Sequence, residues 1–364
     1  MFKKKKPEKP SLSNSSLTII KKKDSPPFSN ILDNNLDNPT NSNATKIFYW
    51  DISDEISQID LINKEDKSFV NASIQCLANL NQLTKFFLSE FVYDNNNEKQ
   101  ILSNGYYELL KNLNLDDLNN IKNVPNSTDN FIKTIYELNI SFSTNPQNES
   151  RDFIKFFLKT MHNELNKSIY NDLNIFNKDY YADIPKTKEG ALKKFFNNYK
   201  NKNNSKITNF FSGINEINFK CKYCNNCIYD YELFNYFDFN LNNISIFKKQ
   251  NKLNQNNDNE YIDIYDCFRY KKEKIYNTPI ICKQCNKCNK IASITIFSMS
   301  NYLIIFLNRE KGSNFKVKIN ETLNLKDYII HNEIGYILEL YGIVLKITNS
   351  NHYFSYCYQK SENK

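Results

Sequence analysis

Two short cysteine motifs are the residues of this sequence best suited to binding a metal. Cys221 and Cys224 are separated by two residues, and Cys282 and Cys285 repeat that spacing further along the chain. Four thiolates form the tetrahedral ligand set that a structural Zn²⁺ prefers, and each two-residue turn directs two sulfurs toward one ion. The pattern therefore predicts one structural zinc bound by these four cysteines.

A third cysteine follows each pair and leaves the choice of ligands open. Cys227 comes three residues after Cys224, and Cys288 comes three residues after Cys285. Either of them could replace a neighbour in the ligand set. The opposing interpretation is that the cysteines bind no metal and that their paired spacing arose by chance.

The composition excludes several other kinds of chemistry. The chain has 6 glycines, and no two of them have the separation of a phosphate-binding G-x-x-x-x-G-K or a dinucleotide-binding G-x-G-x-x-G motif. Its 3 histidines do not form the metalloprotease motif H-E-x-x-H. The longest apolar runs, such as residues 302–307, are far shorter than the roughly 18 residues that a membrane span needs. We therefore expect no membrane association.

The N-terminal residues indicate location and charge rather than chemistry. The first residues, Met1-Phe-Lys-Lys-Lys-Lys, lack the apolar region of a secretion signal, so we expect a reducing compartment, cytoplasmic or nuclear. The net charge of +8 is carried partly by lysines at residues 3–6 and 21–23. These lysines could form a nuclear address or a nucleic-acid patch. A solvated tail explains them more simply, so nucleic-acid binding is not expected.

Periodicity divides the chain into a tail, a helical part and a strand-rich part. Residues 1–45 are rich in Lys, Ser, Asn and Pro with little apolar periodicity, which predicts a disordered tail. Helical spacing of apolar residues follows at residues 68–77 and 151–165. From residue 209 onward short alternating segments predict strands, with residues 242–259 as a loop. Helices followed by strands predict an α+β fold.

The first predicted helix carries a motif that resembles a known one. Residues 61–77 resemble the box G-L-x-N-x-G-N-T-C-Y-M-N-S-x-L-Q-x-L, which contains the catalytic cysteine of the ubiquitin-specific proteases (USPs). The matching positions are Asn63, Asn71, Gln75 and Leu77.

Further segments resemble motifs of the same family in the same order along the chain. Residues 147–153 resemble the element Q-x-D-A-x-E-F, and residues 210–234 resemble the zinc-bearing fingers. Residues 303–309 resemble the strand L-x-I-x-L-K-R. Residues 336–338 and 351–356 resemble the Y-x-L and G-H-Y-x-A-Y parts of the histidine box. The resemblance covers roughly residues 47–364.

The resemblance implies roles for three residues. In USPs a cysteine thiolate attacks the carbonyl at the ubiquitin C-terminus, a histidine acts as the base, and an upstream asparagine donates to the oxyanion. These roles imply His352 as the base and Asn63 as the oxyanion donor, whereas Ser68 stands at the position of the nucleophilic cysteine. A thiol is partly ionised near neutral pH, but a serine hydroxyl stays protonated until a base removes its proton.

A second departure concerns the third catalytic residue of the family. An Asp or Asn in a W-Y-x-F-D-D segment orients the histidine in USPs, and no such segment lies between His352 and Lys364. With Ser68 in addition, we expect a catalytically impaired member. Simpler interpretations are a helix N-cap for Ser68, an ordinary strand residue for His352 and a buried helical thiol for Cys76.

The resemblance also implies an architecture and a partner. The fold would be papain-like over residues 46–364, with a helical thumb at about 55–170, zinc-ribbon fingers at about 205–300 and a β-rich palm at about 300–364 that lacks its C-terminal strand. Ubiquitin or a ubiquitinated protein would be the partner of a monomer. The alternative is a non-catalytic USP-like interaction scaffold in an RNA-processing or other nuclear assembly.

Overall fold

A computed structural model shows how these segments fold. The residues described are 12–22, 67–113, 124–145, 149–167, 185–202, 205–251, 261–310, 313, 315–330, 336–347 and 352–357. Among them, the side chains of residues 12–22, 124–126, 200–202 and 288–289 are not described. Asn63 lies outside the described residues. No helix in these ranges is long and apolar enough to cross a membrane.

Helices form the first half of the described chain and enclose an apolar core. They are α1 (Ser68–Ala78), α2 (Asn81–Ser89), α3 (Ile101–Leu113), α4 (Val124–Leu138), α5 (Ser141–Thr144) and α6 (Ser150–Leu165). Helix α6 has buried Phe153, Phe157 and Met161 at positions i, i+4 and i+8, which lie on one face. Burying each such side chain contributes about 1.5–3 kcal/mol to stability. The helix therefore packs inward along one apolar stripe, as its periodicity predicts.

The largest sheet separates this core from a second one. Its strands lie in the order β10 (Thr322–Asn324), β11 (Ile337–Ile347), β1 (Leu12–Lys22), β8 (Tyr302–Asn308) and β4 (Tyr236–Asn240), and β12 (Tyr353–Cys357) also pairs with β11. In β8, Tyr302, Ile304 and Phe306 belong to the helical core. The alternate residues Leu303, Ile305 and Leu307 belong to the second core. Because side chains alternate along a strand, an apolar run such as β8 is buried on both faces.

Strand β1 is a difference from the disordered tail predicted for residues 1–45. Leu12–Lys22 pairs antiparallel with β8 on one side and with β11 on the other. The short segment Leu17-Thr-Ile-Ile contains β-branched residues that suit a strand, but it is too short to give a periodic signal among the polar residues around it. The pairing depends on two strands that lie far away in sequence. The rest of the predicted tail is outside the described residues.

A separate antiparallel sheet carries the cysteine motifs. Its strands are β2 (Gly213–Cys221), β3 (Cys227–Phe234), β6 (Ile275–Ile281) and β7 (Cys288–Ser298), in the order β3-β2-β7-β6. Strand β2 ends at Cys221 and β3 begins at Cys227, so the first cysteine motif is the turn of one hairpin. The second motif joins β6 to β7 in the same way. Helices α7 (Lys188–Lys202) and α8 (Lys206–Phe211) precede this sheet.

The second core contains a helix where a loop is predicted. Helix α9 (Leu241–Gln250) occupies much of the predicted loop at residues 242–259, and that part of the prediction is wrong. The Asn240 side chain accepts a hydrogen bond from the Asn243 N–H and caps the helix. Leu241, Ile244 and Lys248 then form its buried face. The asparagine-rich sequence concealed this spacing.

The remaining elements complete the second core. They are β5 (Tyr261–Asp263), α10 (Ile264–Glu273) and β9 (Lys316–Lys318), with a short 3-10 helix at Lys326–Tyr328. Helix α10 begins with a capping box in which Asp263 and Asp266 exchange hydrogen bonds with backbone N–H groups. Asp266 also forms a buried ion pair with Lys248 at 2.7 Å, joining α10 to α9. Helices and sheets together confirm the predicted α+β class.

Candidate functional site

The two cysteine turns have the same backbone conformation. Cys221 N–H donates to the Asn226 carbonyl and Asn225 N–H donates back to the Cys221 carbonyl, both at 3.0 Å. Cys282 N–H and Asn286 N–H form the equivalent bonds, at 3.0 and 2.7 Å. Asn225 and Asn286 have positive φ values of 57° and 55°, a conformation that asparagine tolerates better than most residues. Each turn is therefore closed locally, and the sequence C-x-x-C-N builds it twice.

The turns bring four thiols to one point at the end of the fingers sheet, here the sheet of β2, β3, β6 and β7. The sulfur atoms of Cys221, Cys224, Cys282 and Cys285 all lie within 4.8 Å of one another. Cys221 Sγ is 3.7 Å from Cys285 Sγ, and Cys224 Sγ is 3.5 Å from Cys282 Sγ. A tetrahedron with Zn–S bonds of about 2.3 Å has sulfur–sulfur edges of about 3.8 Å. The donor set therefore fits a tetrahedral metal ion.

Backbone donors prepare some of these sulfurs for binding a cation. The N–H groups of Cys224 and Tyr223 point at Cys221 and lower the pKa of its thiol. Burial raises the pKa of Cys282, but the N–H groups of Cys285 and Gln284 outweigh it and lower that pKa to about 6. The Asn226 N–H lowers the pKa of Cys224, whereas burial and the surrounding thiols raise it to about 12. Because metals bind thiolates, the turns themselves favour the metal-binding form at two positions.

The neighbouring Cys227 lies apart from the cluster of four. Its Sγ lies 3.5 Å from the Asn225 carbonyl oxygen and is not within the group that closes on one point. The side chain of Cys288 is outside the description. The four cysteines first inferred from the spacing are thus the ones that the fold brings together, and their role as ligands stays a prediction.

A second site lies where α1 meets β12. Ser68, the first residue of α1, is fully buried, and its Oγ accepts a hydrogen bond of 3.0 Å from the Tyr353 N–H. His352 directly precedes Tyr353, and its carbonyl accepts a hydrogen bond of 2.9 Å from the Ile347 N–H. Two residues far apart in sequence, Ser68 and His352, are therefore neighbours in the fold. Their catalytic roles remain predictions, and so does that of Asn63.

Strand β12 lies along α1 through alternate residues. After the contact of Ser68 with Tyr353, the Ser355 hydroxyl donates to Gln75 Oε1 at 3.0 Å. Cys357 Sγ then lies 3.6 Å from Cys76 Sγ. Because every second residue of a strand points to the same face of the sheet, residues 353, 355 and 357 lie on the face that contacts the helix. Their spacing of two is the sequence signal from which this contact surface could have been found.

The N-cap position of α1 lies one residue before Ser68. The N-cap residue of α1 is Lys67, and it makes no side-chain capping bond. Ser68 instead joins the start of α1 to the start of β12 through the Tyr353 N–H. The simpler interpretation placed the N-cap at Ser68, whereas the structure places it one residue earlier, at Lys67. Cys76, in contrast, is the buried helical thiol expected from its apolar face.

Packing fixes the position of α1 at this junction. The Phe69 ring contacts the rings of Phe142 and Tyr353, with centroid distances of 6.0 and 6.5 Å. The Phe69 carbonyl accepts hydrogen bonds from the hydroxyls of Ser73 and Ser150. Contacts with α5, α6 and β12 thus fix the first turn of α1. A rigid first turn is what a reacting side chain at residue 68 requires.

Charged residues for which the sequence predicted no role lie beside the junction. Lys346 of β11 is 3.9 Å from Glu149, and Arg151 lies 4.0 Å from the same carboxylate. Arg151 also donates to the Asn308 side chain at 3.1 Å. These contacts connect the start of α6 to β8 and β11. Lys346 and Asn308 lie far from residues 147–153 in sequence, so the motif at 147–153 alone does not predict their contacts.

Comparison with known proteins identifies the family. The family model described as ubiquitin carboxyl-terminal hydrolase matches residues 59–364. The probable ubiquitin carboxyl-terminal hydrolase 1 of Schizosaccharomyces pombe is 26% identical over 180 residues, covering 48% of this chain and 20% of that protein. Ubiquitin carboxyl-terminal hydrolase 4 of Saccharomyces cerevisiae is 25% identical over 264 residues, covering 69% and 27%. The chain thus spans about a quarter of the length of these relatives.

Solved structures show the same fold. The SAGA Ubp8/Sgf11/Sus1/Sgf73 DUB module bound to ubiquitin aldehyde contains a chain with a TM-score of 0.56 and 17% identity, over 83% of this chain and 62% of that one. A chain of the same module bound to monoubiquitin gives 0.53 and 16%, over 82% and 63%. At this identity the likeness concerns the fold, and it confirms the predicted USP architecture. With the family match over most of its length, the chain belongs to the ubiquitin carboxyl-terminal hydrolase family, in its ubiquitin-specific protease (USP) branch.

Proposed function

We propose that this USP domain binds ubiquitin and cleaves poorly or not at all. The observation that carries the proposal is Ser68, which occupies the nucleophile position of the motif at the first turn of α1, beside the strand that begins after His352. A nucleophile at this position would be a hydroxyl rather than the thiol of the motif.

The chemistry of a serine at residue 68 explains why we expect little or no catalysis. The hydroxyl is neutral near pH 7, so attack on a carbonyl needs a base that takes its proton in the same step. Its oxygen already accepts the Tyr353 N–H, which withdraws electron density from the atom that would attack. His352 is the residue proposed to act as base, and Asn63 the residue proposed to donate to the oxyanion. A thiolate at residue 68 would need no such concerted proton transfer.

Zinc is the metal that we propose for the cysteine cluster. Four thiols with near-tetrahedral spacing suit Zn²⁺ better than the oxygen-preferring Mg²⁺ or Ca²⁺. When bound there, zinc would cross-link the two hairpin turns of the fingers and do no chemistry, because four protein ligands leave no open position. Cysteines that bind zinc must stay reduced, so we propose a reducing compartment, cytoplasmic or nuclear.

Ubiquitin is the proposed partner because the thumb, fingers and palm elements all accompany the family motifs. The solved relatives hold ubiquitin aldehyde or monoubiquitin on the same fold. We propose that this chain binds ubiquitin or a ubiquitinated protein as a monomer. The chain spans about a quarter of its relatives' length. The proposal therefore concerns ubiquitin and does not carry over the relatives' substrate proteins or further partners.

A binding and capture experiment tests both parts of the proposal. Labelled ubiquitin is titrated against the full chain, and hydrolysis of a fluorogenic ubiquitin substrate is followed in parallel. We expect binding with negligible turnover. Ser68→Cys should react with a ubiquitin probe carrying a C-terminal electrophile, and adding His352→Ala should slow that reaction.

A matched control is Ser73→Cys, which places a thiol at another buried position of the same helix and should not capture the probe. Robust hydrolysis by the unmodified chain would overturn the inactive part of the proposal. No association at high micromolar ubiquitin would overturn the ubiquitin part and favour the interaction scaffold.

A further inference from the structure

Two cysteines outside the metal cluster lie close enough to react with each other. Cys76 Sγ in α1 and Cys357 Sγ in β12 are 3.6 Å apart. Cys76 is fully buried, and Cys357 is partly exposed. The pair connects α1, which begins at Ser68, with β12, which begins directly after His352.

A glycine creates the space in which the two sulfurs meet. Gly342 of β11 pairs directly with Cys357, and a Cβ added at Gly342 would lie 3.0 Å from Cys76 Sγ. The missing side chain lets the Cys76 sulfur lie against β11 beside Cys357. Three separate elements thus converge on one dithiol.

We propose that Cys76 and Cys357 form a reversible oxidation site, in which a hydroperoxide converts the two thiols to a disulfide. The Cys357 sulfur attacks one peroxide oxygen and becomes a sulfenic acid, releasing water or an alcohol. Cys76 then attacks the Cys357 sulfur, the S–S bond forms, and the hydroxyl leaves as water with the Cys76 proton. Two thiols are oxidised, one peroxide is reduced, and a thiol reductant reverses the reaction.

The two thiols are unequal in a way that suits this order of events. The hydrogen bond between the two thiols lowers the pKa of Cys357, and the Asn79 side chain acts in the same direction. The same thiol–thiol bond, together with burial, raises the pKa of Cys76. The partly exposed sulfur is therefore the one with more thiolate character, and the buried sulfur is the one that resolves the intermediate.

The disulfide would act on the junction without touching the reacting residues. It would tie the second half of α1 to the end of β12, while Ser68 and Tyr353 hold the opposite ends of the same two elements. Oxidation would therefore fix the angle between α1 and β12. This consequence does not depend on whether the domain binds ubiquitin.

Cys267 provides an internal control within the described part of the chain. It is fully buried in the second core, and burial raises the pKa of its thiol. It is not among the thiol contacts found for Cys76 or for the metal cluster. Peroxide reacts fastest with thiols that are exposed and ionised, so Cys267 should stay reduced.

The experiment uses the full chain supplied with zinc, so that the metal protects the fingers cysteines. Dilute hydrogen peroxide is added, free thiols are alkylated, and the protein is digested without reductant for mass spectrometry. We expect the peptides of Cys76 and Cys357 to appear joined and two hydrogens lighter, with oxidation at least about tenfold faster than at Cys267. Dithiothreitol should separate them, and oxidation should raise the melting temperature by several degrees.

Two variants show whether the pair acts together. Cys357→Ser should abolish the linked peptide and the change in melting temperature, and its position is partly exposed, so folding should survive. Cys76→Ala should leave Cys357 as a sulfenic acid that dimedone traps. The proposal fails if peroxide oxidises Cys357 in the unmodified chain while Cys76 remains alkylated, or if Cys267 reacts as fast as Cys357.

Discussion

The fingers and the junction of α1 with β12 bring reactive residues together by different means. In the fingers, each half of the cysteine cluster is made by one hairpin turn whose backbone hydrogen bonds close within six residues. At the junction, Ser68 and Tyr353 are separated by 285 residues, and their contact depends on the packing of a helix against a sheet. Sites of the first kind follow from local spacing, whereas sites of the second kind need the whole fold.

The comparison also shows how differently the two sites tolerate change. The hydrogen bonds of each cysteine turn are local, whereas a metal bound by the four thiols would need ligands from both turns. The junction has several separate contacts between α1 and β12, so loss of one should weaken the packing of these elements without separating them. The following predictions test this contrast, from the largest expected effect to the smallest.

The largest effect should come from removing a metal ligand. Cys282→Ser should abolish stoichiometric zinc and open the fingers sheet, because the second cysteine turn then has no ion to hold it against the first. Metal analysis and hydrogen exchange of residues 213–298 would measure this. Cys227→Ser is the matched control and should retain zinc, since its sulfur lies outside the cluster. Equal zinc content in the two variants would contradict the assigned ligand set.

Gly342→Ala should destabilise the junction by about 2–3 kcal/mol, because the new methyl group meets Cys76 Sγ at 3.0 Å and the Tyr356 carbonyl oxygen at 3.4 Å. Neither neighbour is the end of a long flexible side chain. Chemical denaturation would measure the free energy of unfolding. Gly105→Ala in α3 is the control, since its nearest neighbour is a phenyl ring at 3.3 Å and alanine favours a helix. A larger loss in the control would argue against tight packing at Gly342.

Ser68→Ala should cost about 1–2 kcal/mol, because it removes the acceptor of the buried Tyr353 N–H. The loss should concentrate at β12 and be visible as faster hydrogen exchange of Tyr353. Ser73→Ala removes a hydroxyl of the same helix that donates to the Phe69 carbonyl within that helix. It should leave the exchange of Tyr353 unchanged, and a similar effect of both variants would weaken the link between α1 and β12.

The smallest effect concerns pH and lies away from both sites. Burial lowers the pKa of His162, whose Nδ1 lies 2.8 Å from Ser205 Oγ. The unfolded chain therefore binds a proton near pH 6.5 that the folded chain accepts only at lower pH, so stability falls as pH drops below about 6.5. His162→Gln should flatten this part of the stability curve. Parallel curves for the two proteins between pH 7 and pH 5.5 would contradict the prediction.

Much of the fold was predictable because its signals are local. The helical spacing of residues 151–165 matches α6 to within one residue, and the apolar run at residues 302–307 is strand β8. The spacing predicted each C-x-x-C turn and the set of four cysteines, while it left Cys227 and Cys288 open as alternatives, and the pairing of β2 with β7 brings the two turns together. Asparagine-rich composition concealed α9, whose buried face is interrupted by polar residues.

The rest depends on contacts that no local pattern encodes. The pairing of Ser68 with Tyr353 could be anticipated only from the order of family motifs, and the proximity of Cys76 to Cys357 was not anticipated at all. Strand β1 was missed because its partners lie in distant parts of the chain. Sequence periodicity shows which face of an element is apolar, but not which other element will cover it.

The central position of β1 has a consequence for how the protein is made. Leu12–Lys22 is synthesised long before its two neighbours, which begin only at Tyr302 and Ile337. At about 5–20 residues per second, the interval is on the order of tens of seconds. During that time neither β8 nor β11 is available to pair with β1, so the strands of this sheet cannot pair in the order in which they are synthesised. We therefore expect this sheet to form only after β11 has been synthesised, with β1 remaining an unpaired and aggregation-prone strand until then.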